Sequence, residues 1–298
     1  MDYEEFKGKI QEELKDFLGK DAEVEIVRMR RNNGMVYDGI HVKLKDAVHN
    51  VTPVIGLASL YETYGRGVMN MADCVEAVCR ELKRNEASQD MVQFAENLMD
   101  WNFVKGSVYP ILLSTEENKE LLEELVSTPM LDLSVVYIIR KEIPGRGSGS
   151  VKVNRQMLES YGISVEKLHS QAMKNLQKDG YEFQNMNVFI KRMIHMDEIE
   201  NLPPSEMYIL TNQTKAYGAA GILNKKLVRE FAGSRNFFIL PSSIHETIFI
   251  PAVDKHDKGP FDAMVKEVNE TQVSEEERLS DHSYYYDSEM DEIRMCVV

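Results

Sequence analysis

The sequence has few cysteines, no excess of basic residues and no long apolar run. The features that it lacks are typical of disulfide-stabilised, nucleic-acid-binding and membrane-spanning proteins respectively. Its 298 residues include three cysteines, Cys74, Cys79 and Cys296, and no Cys-x-x-Cys pair. Disulfide bonds are therefore not expected, and free thiols are typical of a reducing compartment. No apolar run approaches the roughly 20 residues that cross a bilayer, so the sequence predicts no membrane span.

Basic charge is outnumbered, because 35 Lys and Arg stand against 49 Asp and Glu and the formal net charge is −14. Such an acidic chain repels a phosphate backbone, so direct nucleic-acid binding is not expected. The first nine residues also lack the basic flank and apolar stretch of a signal peptide. We therefore expect a cytoplasmic protein.

Motifs for metals and phosphates are also missing. His245-Glu246 is not followed by x-x-His, and the remaining histidines are scattered, so no metal site and no cofactor are predicted. The glycine-rich segment 144–149 lacks the lysine of a P-loop and joins two predicted strands instead of a strand and a helix. We interpret this segment as a flexible hairpin loop.

The clearest fold signal is the segment Met207–Pro251. Short apolar runs predict strands at Met207–Thr211, Phe237–Leu240 and Thr247–Ile250, and helical spacing predicts a helix over about Ala219–Phe231. Turn-forming residues lie between these elements, so local chemistry and hydrophobic pattern agree on a β-α-β-β unit.

The beginning of the chain predicts a helix followed by a hairpin. Apolar residues recur at helical spacing over Tyr3–Leu18, and two alternating stretches between Val24 and Leu44 flank an Asn-Gly turn. Further helical patterns cover Val54–Tyr64, Met69–Lys83 and about Met91–Met99.

The middle of the chain mixes strands and helices. Leu131–Ile139 and Ser150–Val153 predict a second hairpin, and Val165–Leu176 predicts a helix with Ser164 as its N-cap. The stretch Trp101–Leu113 combines apolar residues with Gly106 and Pro110, so its pattern predicts no single element.

These elements predict the α+β class, with a mixed or antiparallel sheet flanked by helices and a smaller N-terminal helix-hairpin-helix part. The expected domains are residues 1–110, 111–259 and 260–298. We expect the strands of the Met207–Pro251 unit to share one sheet with the second hairpin, and the helices near 165–176 and 219–231 to cover one face of that sheet.

The last segment, residues 260–298, is acidic but not purely hydrophilic. It holds 11 Asp and Glu against 3 Lys and Arg. It also carries Val265 and Val268 at helical spacing, then Leu279 and the run Tyr284–Tyr286. Such apolar residues favour a tail that docks on the rest of the protein over a solvated appendage.

The connection before Thr247 holds the residue types of nucleophilic catalysis. Ser243, His245 and Glu246 crowd this short segment, and Asn212 follows a predicted strand. These four residues are the candidate site of a hydrolase or transferase. Ser243 and His245 are too close in sequence for an ordinary serine–base pair, so a turn with polar capping groups is the competing interpretation.

Asp132 is the other polar residue that needs an explanation, because it lies within a strand-like apolar run. We consider two roles for it, a cap at the strand end and part of a functional site.

Several segments carry a resemblance to a known family. Leu131–Tyr137, Gly162–His169, Leu240–Glu246 and Asn269–Val273 with Leu279–Asp281 resemble an uncharacterised domain-of-unknown-function family of anaerobic gut bacteria. The resemblance covers most of the chain from about residue 130, with a weaker match over 50–64. It implies that the protein belongs to a mobile-element gene set, and it implies no reaction, ligand or catalytic residue.

Three functional hypotheses follow from the sequence. The leading one is a non-enzymatic cytosolic interaction or accessory protein with a protein partner, since amphipathic helices and 17 methionines suit adaptable surfaces. The second is a hydrolase or transferase with its site near the 241–246 turn. The third is an acidic inhibitor that mimics nucleic acid and is carried by a mobile element.

Overall fold

The computed structural model describes residues 1–44, 52–85, 88–143, 147–193, 205–252 and 261–296. These residues form two compact units. The first contains Met1–Arg31 and Met35–Leu98, and the second contains Asn32–Gly34 and Met99–Val298. The three-part division at residues 110 and 259 stays a prediction about folding units, which limited proteolysis can test.

The first unit combines helices with a three-stranded antiparallel sheet in the order β1-β2-β3. Its elements are α1 (Tyr3–Leu18), β1 (Ala22–Arg30), β2 (Val36–Leu44), β3 (Val54–Gly56), α2 (Ala58–Gly65), α3 (Met71–Arg84) and α4 (Gln89–Glu96).

Helix α1 confirms the first prediction at both ends. Asp2 caps it, because its side chain accepts a hydrogen bond from the Glu5 backbone N–H at 2.8 Å, and the Asp2 backbone N–H donates to the Glu5 carboxylate at 3.1 Å. Phe6, Ile10 and Leu14 are fully buried and form the core of this unit with Val24 and Ile40 of the sheet. One apolar stripe of α1 therefore covers the hairpin.

The β1–β2 hairpin is also confirmed, with Asn33 in a left-handed conformation (φ 55°) at its turn. The predicted helix Val54–Tyr64 is wrong in its first part. Val54–Gly56 forms strand β3, which pairs with β2, and only Ala58–Gly65 is helical. The pairing offered by the edge of β2 overrides a weak helical pattern in this short segment.

The second unit holds the remaining elements. They are α5 (Trp101–Val104), β4 (Val108–Ser114), α6 (Lys119–Glu124), β5 (Ser127–Met130), β6 (Leu133–Ile143), β7 (Gly147–Lys152), α7 (Arg155–Tyr161), α8 (Val165–Leu176), β8 (Glu182–Asn185), α9 (Met186–Met193), β9 (Tyr208–Thr211), α10 (Lys225–Ala232), β10 (Phe237–Leu240), β11 (Thr247–Pro251), α11 (Phe261–Thr271), β12 (Tyr284–Asp287) and β13 (Glu292–Met295). Short 3-10 helices cover Lys105–Ser107, Gly218–Leu223 and Glu275–Glu277.

The strands of this unit form two antiparallel sheets. One has the order β4-β6-β5 with β7 also paired to β6, and the other has the order β13-β12-β10-β11-β9-β8. The α+β class is thus confirmed. The prediction of one shared sheet is wrong, because β6 and β7 lie in the first sheet and β9, β10 and β11 lie in the second.

Strand β4 of the first sheet comes largely from Trp101–Leu113, the stretch for which the sequence predicted no single element. The first sheet therefore needs no strand from the Met207–Pro251 unit. Pro110 lies within β4, opposite Tyr137 of β6. Proline lacks a backbone N–H, and β4 tolerates it because it has β6 as a neighbour on one side only. The strand β7 begins at Gly147, earlier than predicted, so part of the expected loop is paired, and residues 144–146 lie outside the described residues.

Helix α8 has the predicted bounds and the predicted cap, since Ser164 Oγ accepts a hydrogen bond from the Lys167 backbone N–H at 3.3 Å. It is anchored to the first sheet, where Asn175 Nδ2 donates to the Val108 carbonyl at 2.8 Å. Tyr137 of β6 also bonds His169 of α8, with 2.9 Å between the hydroxyl and Nδ1.

The helix predicted over Ala219–Phe231 is split in the structure. Gly218–Leu223 is a 3-10 helix, and Asn224 caps a separate helix, α10. Phe231 of α10 packs on the second sheet, with its ring stacked 3.6 Å from that of Phe183. Since α8 is anchored to the first sheet, the two helices cover different sheets and the common face predicted for them is wrong.

The acidic segment supplies part of the second sheet. Strand β12 pairs with β10 on one side and with β13 on the other. Tyr284 and Tyr286 are buried, and Val265 of α11 packs against Phe238 and Leu240 of β10. Tyr284 and Tyr286 are buried and Tyr285 between them is half-buried, so the face of β12 that carries Tyr284 and Tyr286 is the buried one.

Candidate functional site

The predicted site lies in the connection between β10 and β11. Ser243 is buried, and its Oγ accepts a hydrogen bond from the His245 backbone N–H at 3.0 Å. The same connection is bridged to the acidic segment through the pair Ser243 and Arg278. The serine hydroxyl therefore helps to hold the turn in its conformation.

His245 is bonded at both ring nitrogens. The backbone N–H of Tyr217 donates to Nδ1 at 3.3 Å, and Nε2 lies 3.2 Å from Oε1 of Glu277. An N–H group is only a donor, so Nδ1 is the acceptor and the neutral ring carries its hydrogen on Nε2. Neither nitrogen is left to take a proton from Ser243.

Glu246 supplies the carboxyl of this turn, and its pKa is raised. Burial raises its pKa and the nearby charge of Glu277 raises it further, while the hydrogen bond from Ser243 and the proximity of His245 act in the opposite direction. Burial disfavours the charged form of a carboxyl, so Glu246 holds its proton to a higher pH than an exposed glutamate does.

Asn212 organises the loop that follows β9. Its Oδ1 accepts from Thr214 Oγ1 at 3.0 Å and from the Ala216 backbone N–H at 3.2 Å, and its Nδ2 donates to the Ala216 carbonyl at 2.9 Å. Side-chain bonds of this kind are how asparagine closes tight loops.

The loop after β9 and the 241–246 turn meet at Gly218. A Cβ atom on this residue would lie 2.2 Å from the His245 carbonyl oxygen and 2.3 Å from Thr211 Oγ1. Next to it, Tyr217 has the left-handed φ of 55°, which is uncommon for a residue other than glycine. The close approach at Gly218 is what allows Tyr217 to reach His245.

The structure thus brings Ser243, His245 and Glu246 together, with Glu277 as an additional partner. Asn212 lies on the neighbouring loop, where it bonds to Thr214 and Ala216, and its side chain also hydrogen-bonds that of Tyr181. It also lines a cavity, which no sequence motif indicated.

This cavity has a volume of about 180 Å³. Strand register places Tyr109, Arg140 and Ser150 on one face of the first sheet, because Tyr109 is opposite Ile138 and Arg140 is opposite Ser150. Residues from two loops complete the lining. The polar residues that line it include Tyr109, Arg140, Ser150, Asp179, Tyr181, Asn212 and Tyr217.

Arg140 and Asp179 form a fork-shaped ion pair in this cavity. Nη1 of Arg140 lies 3.0 Å from Oδ2 of Asp179, and Nη2 contacts Oδ1. The Arg140 side chain is 16% exposed and that of Asp179 is 7% exposed. The guanidinium also lies 4.0 Å above the ring centre of Tyr109, a cation–π contact.

Electrostatics keeps both Arg140 and Tyr181 protonated. Burial by itself lowers the pKa of Arg140, but the hydrogen bonds and charge of Asp179 outweigh this effect and raise the pKa. Burial also raises the pKa of the Tyr181 hydroxyl, and the negative charge of Asp179 adds to the shift. The cavity therefore offers a cation, a carboxylate and a protonated phenol.

Asp132, which the sequence left with two roles, ties the acidic segment to the first sheet. Its Oδ1 accepts from the Tyr284 hydroxyl at 2.6 Å and its Oδ2 accepts from Ser280 Oγ at 3.0 Å. It lies in the turn between β5 and β6, where Leu131 has a left-handed φ of 56°. Burial and the charge of Asp132 raise the pKa of Tyr284, so this hydroxyl stays a donor.

Within the described ranges, no group of three or more His, Cys, Asp and Glu side chains is arranged to hold a metal ion. Across the same ranges, no helix is long and apolar enough to cross a membrane.

The model of a family of unknown function, DUF5688, matches residues 3–288. The chain therefore belongs to this family. No curated protein and no solved structure matches the chain. Membership brings no reaction or ligand with it, so the function has to be argued from the contacts of the chain's own residues.

Proposed function

We propose that this member of the DUF5688 family is a non-enzymatic binding protein, and that the cavity at Arg140 and Asp179 takes a small polar molecule. The observation that carries the proposal is the convergence of polar side chains from distant segments on one cavity. Arg140 comes from β6, Asp179 and Tyr181 follow α8, and Asn212 follows β9. A cavity with a few convergent polar groups is the usual form of a ligand site.

The contacts of the ionisable groups favour binding over catalysis. General acid–base chemistry needs a base within reach of the proton that it removes. Arg140 and Asp179 form an ion pair with each other, and His245 is hydrogen-bonded at both ring nitrogens. Such groups serve recognition and positioning, since none of them has a nucleophile as its partner.

The test compares the purified full chain with a variant whose cavity is filled. Ser150→Tyr places a large side chain beside Arg140, at an exposed position of β7 that tolerates it. Ser170→Tyr adds the same bulk on an exposed position of α8 and is the matched control. Ligand-observed NMR with a library of small polar molecules should detect binders that Ser150→Tyr abolishes and Ser170→Tyr retains. A library with no binder, or binders that ignore Ser150→Tyr, would overturn the proposal.

The proposal includes a cytoplasmic location and a protein partner that the ligand-bound protein assists. A link to gut bacteria and mobile elements belongs to it as a hypothesis taken from the sequence resemblance. Co-purification from a native lysate should recover a stoichiometric partner from the full chain, and repeated recovery of the chain alone would count against the partner.

A second function, hydrolysis or group transfer at the 241–246 turn, is favoured by one observation. Glu246 has a raised pKa and is hydrogen-bonded by Ser243, so a protonated carboxyl stands beside a hydroxyl. Turnover of any ester or phosphoester substrate should then disappear when Ser243 and Glu246 are replaced together by Ala and Gln. Turnover that survives this double replacement would eliminate the assignment.

A further inference from the structure

We propose that the ligand of the cavity is an uncharged, hydroxyl-rich ring of monosaccharide size, an inference that rests on the proposed binding function. It follows from the volume of the cavity, its balance of charge and its remaining hydrogen-bonding capacity.

The volume limits the ligand to a single small ring. The cavity of about 180 Å³ equals the volume of about six waters at about 30 Å³ each. It is smaller than the roughly 300 Å³ at which pockets for drug-sized ligands begin. The space that the cavity can enclose therefore matches one sugar or cyclic polyol ring.

The balance of charge favours a ligand without net charge. Among the described residues that line the cavity, the charged ones are Arg140 and Asp179, and each neutralises the other. A charged ligand would leave water without gaining an unpaired counter-charge, which is costly in a partly buried site. The net charge of −14 also repels anions from the protein as a whole.

The remaining hydrogen-bonding capacity contains donors and acceptors side by side. A guanidinium has five N–H donors, and Arg140 uses two of them on Asp179. The carboxylate of Asp179 keeps lone pairs beyond those two bonds. Within the described part of the chain, no group bonds to the hydroxyls of Tyr109 and Ser150. A ligand hydroxyl both donates and accepts, so it matches such a mixed lining better than a group with one role.

Apolar surface completes the match. Tyr109, Tyr181 and Tyr217 contribute to the lining, together with Ile111 and Ile138. A polyol ring presents C–H groups on its faces and hydroxyls around its edge, so its faces pack on aromatic rings while its edge bonds to polar groups.

The experiment uses three compounds that share one ring and differ in charge, D-galactose, D-galactosamine and D-galacturonate, with D-glucose, D-mannose and myo-inositol as further uncharged rings. Binding to the full chain is measured by ligand-observed NMR and by calorimetry. At least one uncharged ring should bind about tenfold more tightly than both charged compounds. A tenfold difference is about what the loss of one hydrogen bond costs in affinity.

Variants then test whether Arg140 and Asp179 determine which ligand charge the cavity prefers. Asp179→Asn removes the carboxylate that is hydrogen-bonded to Arg140, while Glu142 stays 3.8 Å from its Nε, and should shift preference towards galacturonate. Arg140→Gln should shift it towards galactosamine. Tyr109→Phe keeps the ring beneath Arg140 and removes one hydroxyl, so it should weaken binding of the uncharged ring about tenfold. Tyr61→Phe, which removes a hydroxyl in the first unit, should leave binding unchanged.

The outcomes separate the ligand class from the binding function. If charged compounds bind best, or if none of the uncharged rings binds while other small molecules are displaced by Ser150→Tyr, the ligand class is wrong and the binding function stands. If no compound of either set binds in a manner that Ser150→Tyr abolishes, both proposals fail. Preferential binding of an uncharged ring that Tyr109→Phe weakens and Ser150→Tyr abolishes, and that Tyr61→Phe and Ser170→Tyr leave unchanged, supports both.

Discussion

The 241–246 turn and the cavity at Arg140 differ in how their polar residues come together. In the turn, Ser243, His245 and Glu246 are neighbours in sequence, and their side chains bond to nearby backbone, to each other or to Glu277. In the cavity, Arg140 and Asp179 are 39 residues apart, and other polar side chains join them from separate elements. The hydrogen bonds of the turn are consistent with a structural role for its polar residues, and the convergence of distant residues is what supports the cavity as the proposed site.

The largest effect is expected from a deletion that removes the contacts of the 241–246 turn and keeps the residues that line the cavity. Deleting residues 260–298 removes β12 from the edge of β10 and removes Glu277 from His245, whereas the described residues that line the cavity all precede residue 218. Buried side chains such as Tyr284 and Val265 contribute roughly 1.5 to 3 kcal/mol each before ordering entropy is subtracted. The melting temperature should fall by at least about 10 °C, with aggregation.

Scanning calorimetry and light scattering measure this change. A truncated chain that stays monomeric and melts with the full chain would mean that the acidic segment is dispensable for stability.

The second prediction breaks the cavity and spares the turn. Asp179→Ala leaves the Arg140 guanidinium partly buried without its carboxylate, which should lower the free energy of unfolding by about 3 kcal/mol. Replacing both residues, by Met at 140 and Leu at 179, should recover most of the loss because no unpaired charge remains.

Urea denaturation of the single and double variants tests this, with Asp16→Ala at an exposed position of α1 as the control. The control should stay within about 0.5 kcal/mol of the unchanged protein. A single variant as stable as the control would show that the ion pair does not matter for stability.

The third prediction acts where the two regions meet. Gly218→Ala brings a Cβ to 2.2 Å from the His245 carbonyl oxygen, so the loop after β9 and the turn have to separate. We expect a loss of about 2 kcal/mol, as for other overpacked sites. Gly106→Ala is the control because no atom lies within 4 Å of its added Cβ. Equal stability of the two variants in urea denaturation would contradict the close approach.

The smallest effect concerns the pH dependence of the turn. The pKa of Glu246 is raised in the folded protein, so its contribution to stability is present at low pH and is lost as pH rises through the folded-state pKa. Glu246→Gln removes this dependence and should be more stable than the unchanged protein at neutral pH.

The difference in unfolding free energy between the two proteins should shrink as pH falls towards 4.5, the ordinary value for a glutamate. Denaturation curves at several pH values measure it. If the difference in unfolding free energy is the same at every pH, burial does not raise the pKa of Glu246.

Elements with a strong internal signal were predictable. The bounds of α1 and α8 follow from their apolar stripes and from the capping residues Asp2 and Ser164, and the β1–β2 hairpin follows from alternation around a turn. Elements without such a signal were not. Pro110 obscured β4, and the run Tyr284–Tyr286 gave a tendency to pack but not the strand that it packs against.

The candidate site shows the same division. The sequence alone identified Ser243, His245 and Glu246 because their residue types are reactive, but it contains nothing about which atoms they bond. Arg140 lies in β6 directly after its run of buried apolar residues, Asp179 follows helix α8, and neither belongs to a motif.

What the sequence determined by itself is the local elements with a strong periodic or capping signal, the α+β class and the acidic character of the last segment, since periodicity, capping and composition act over neighbouring residues. Only the tertiary structure decided how the strands divide into two sheets, which helix covers each of them, and that Arg140 and Asp179 meet beside Asn212. Strand pairing and ion pairing join residues tens of positions apart, and their outcome depends on which edges and partners the rest of the fold leaves available.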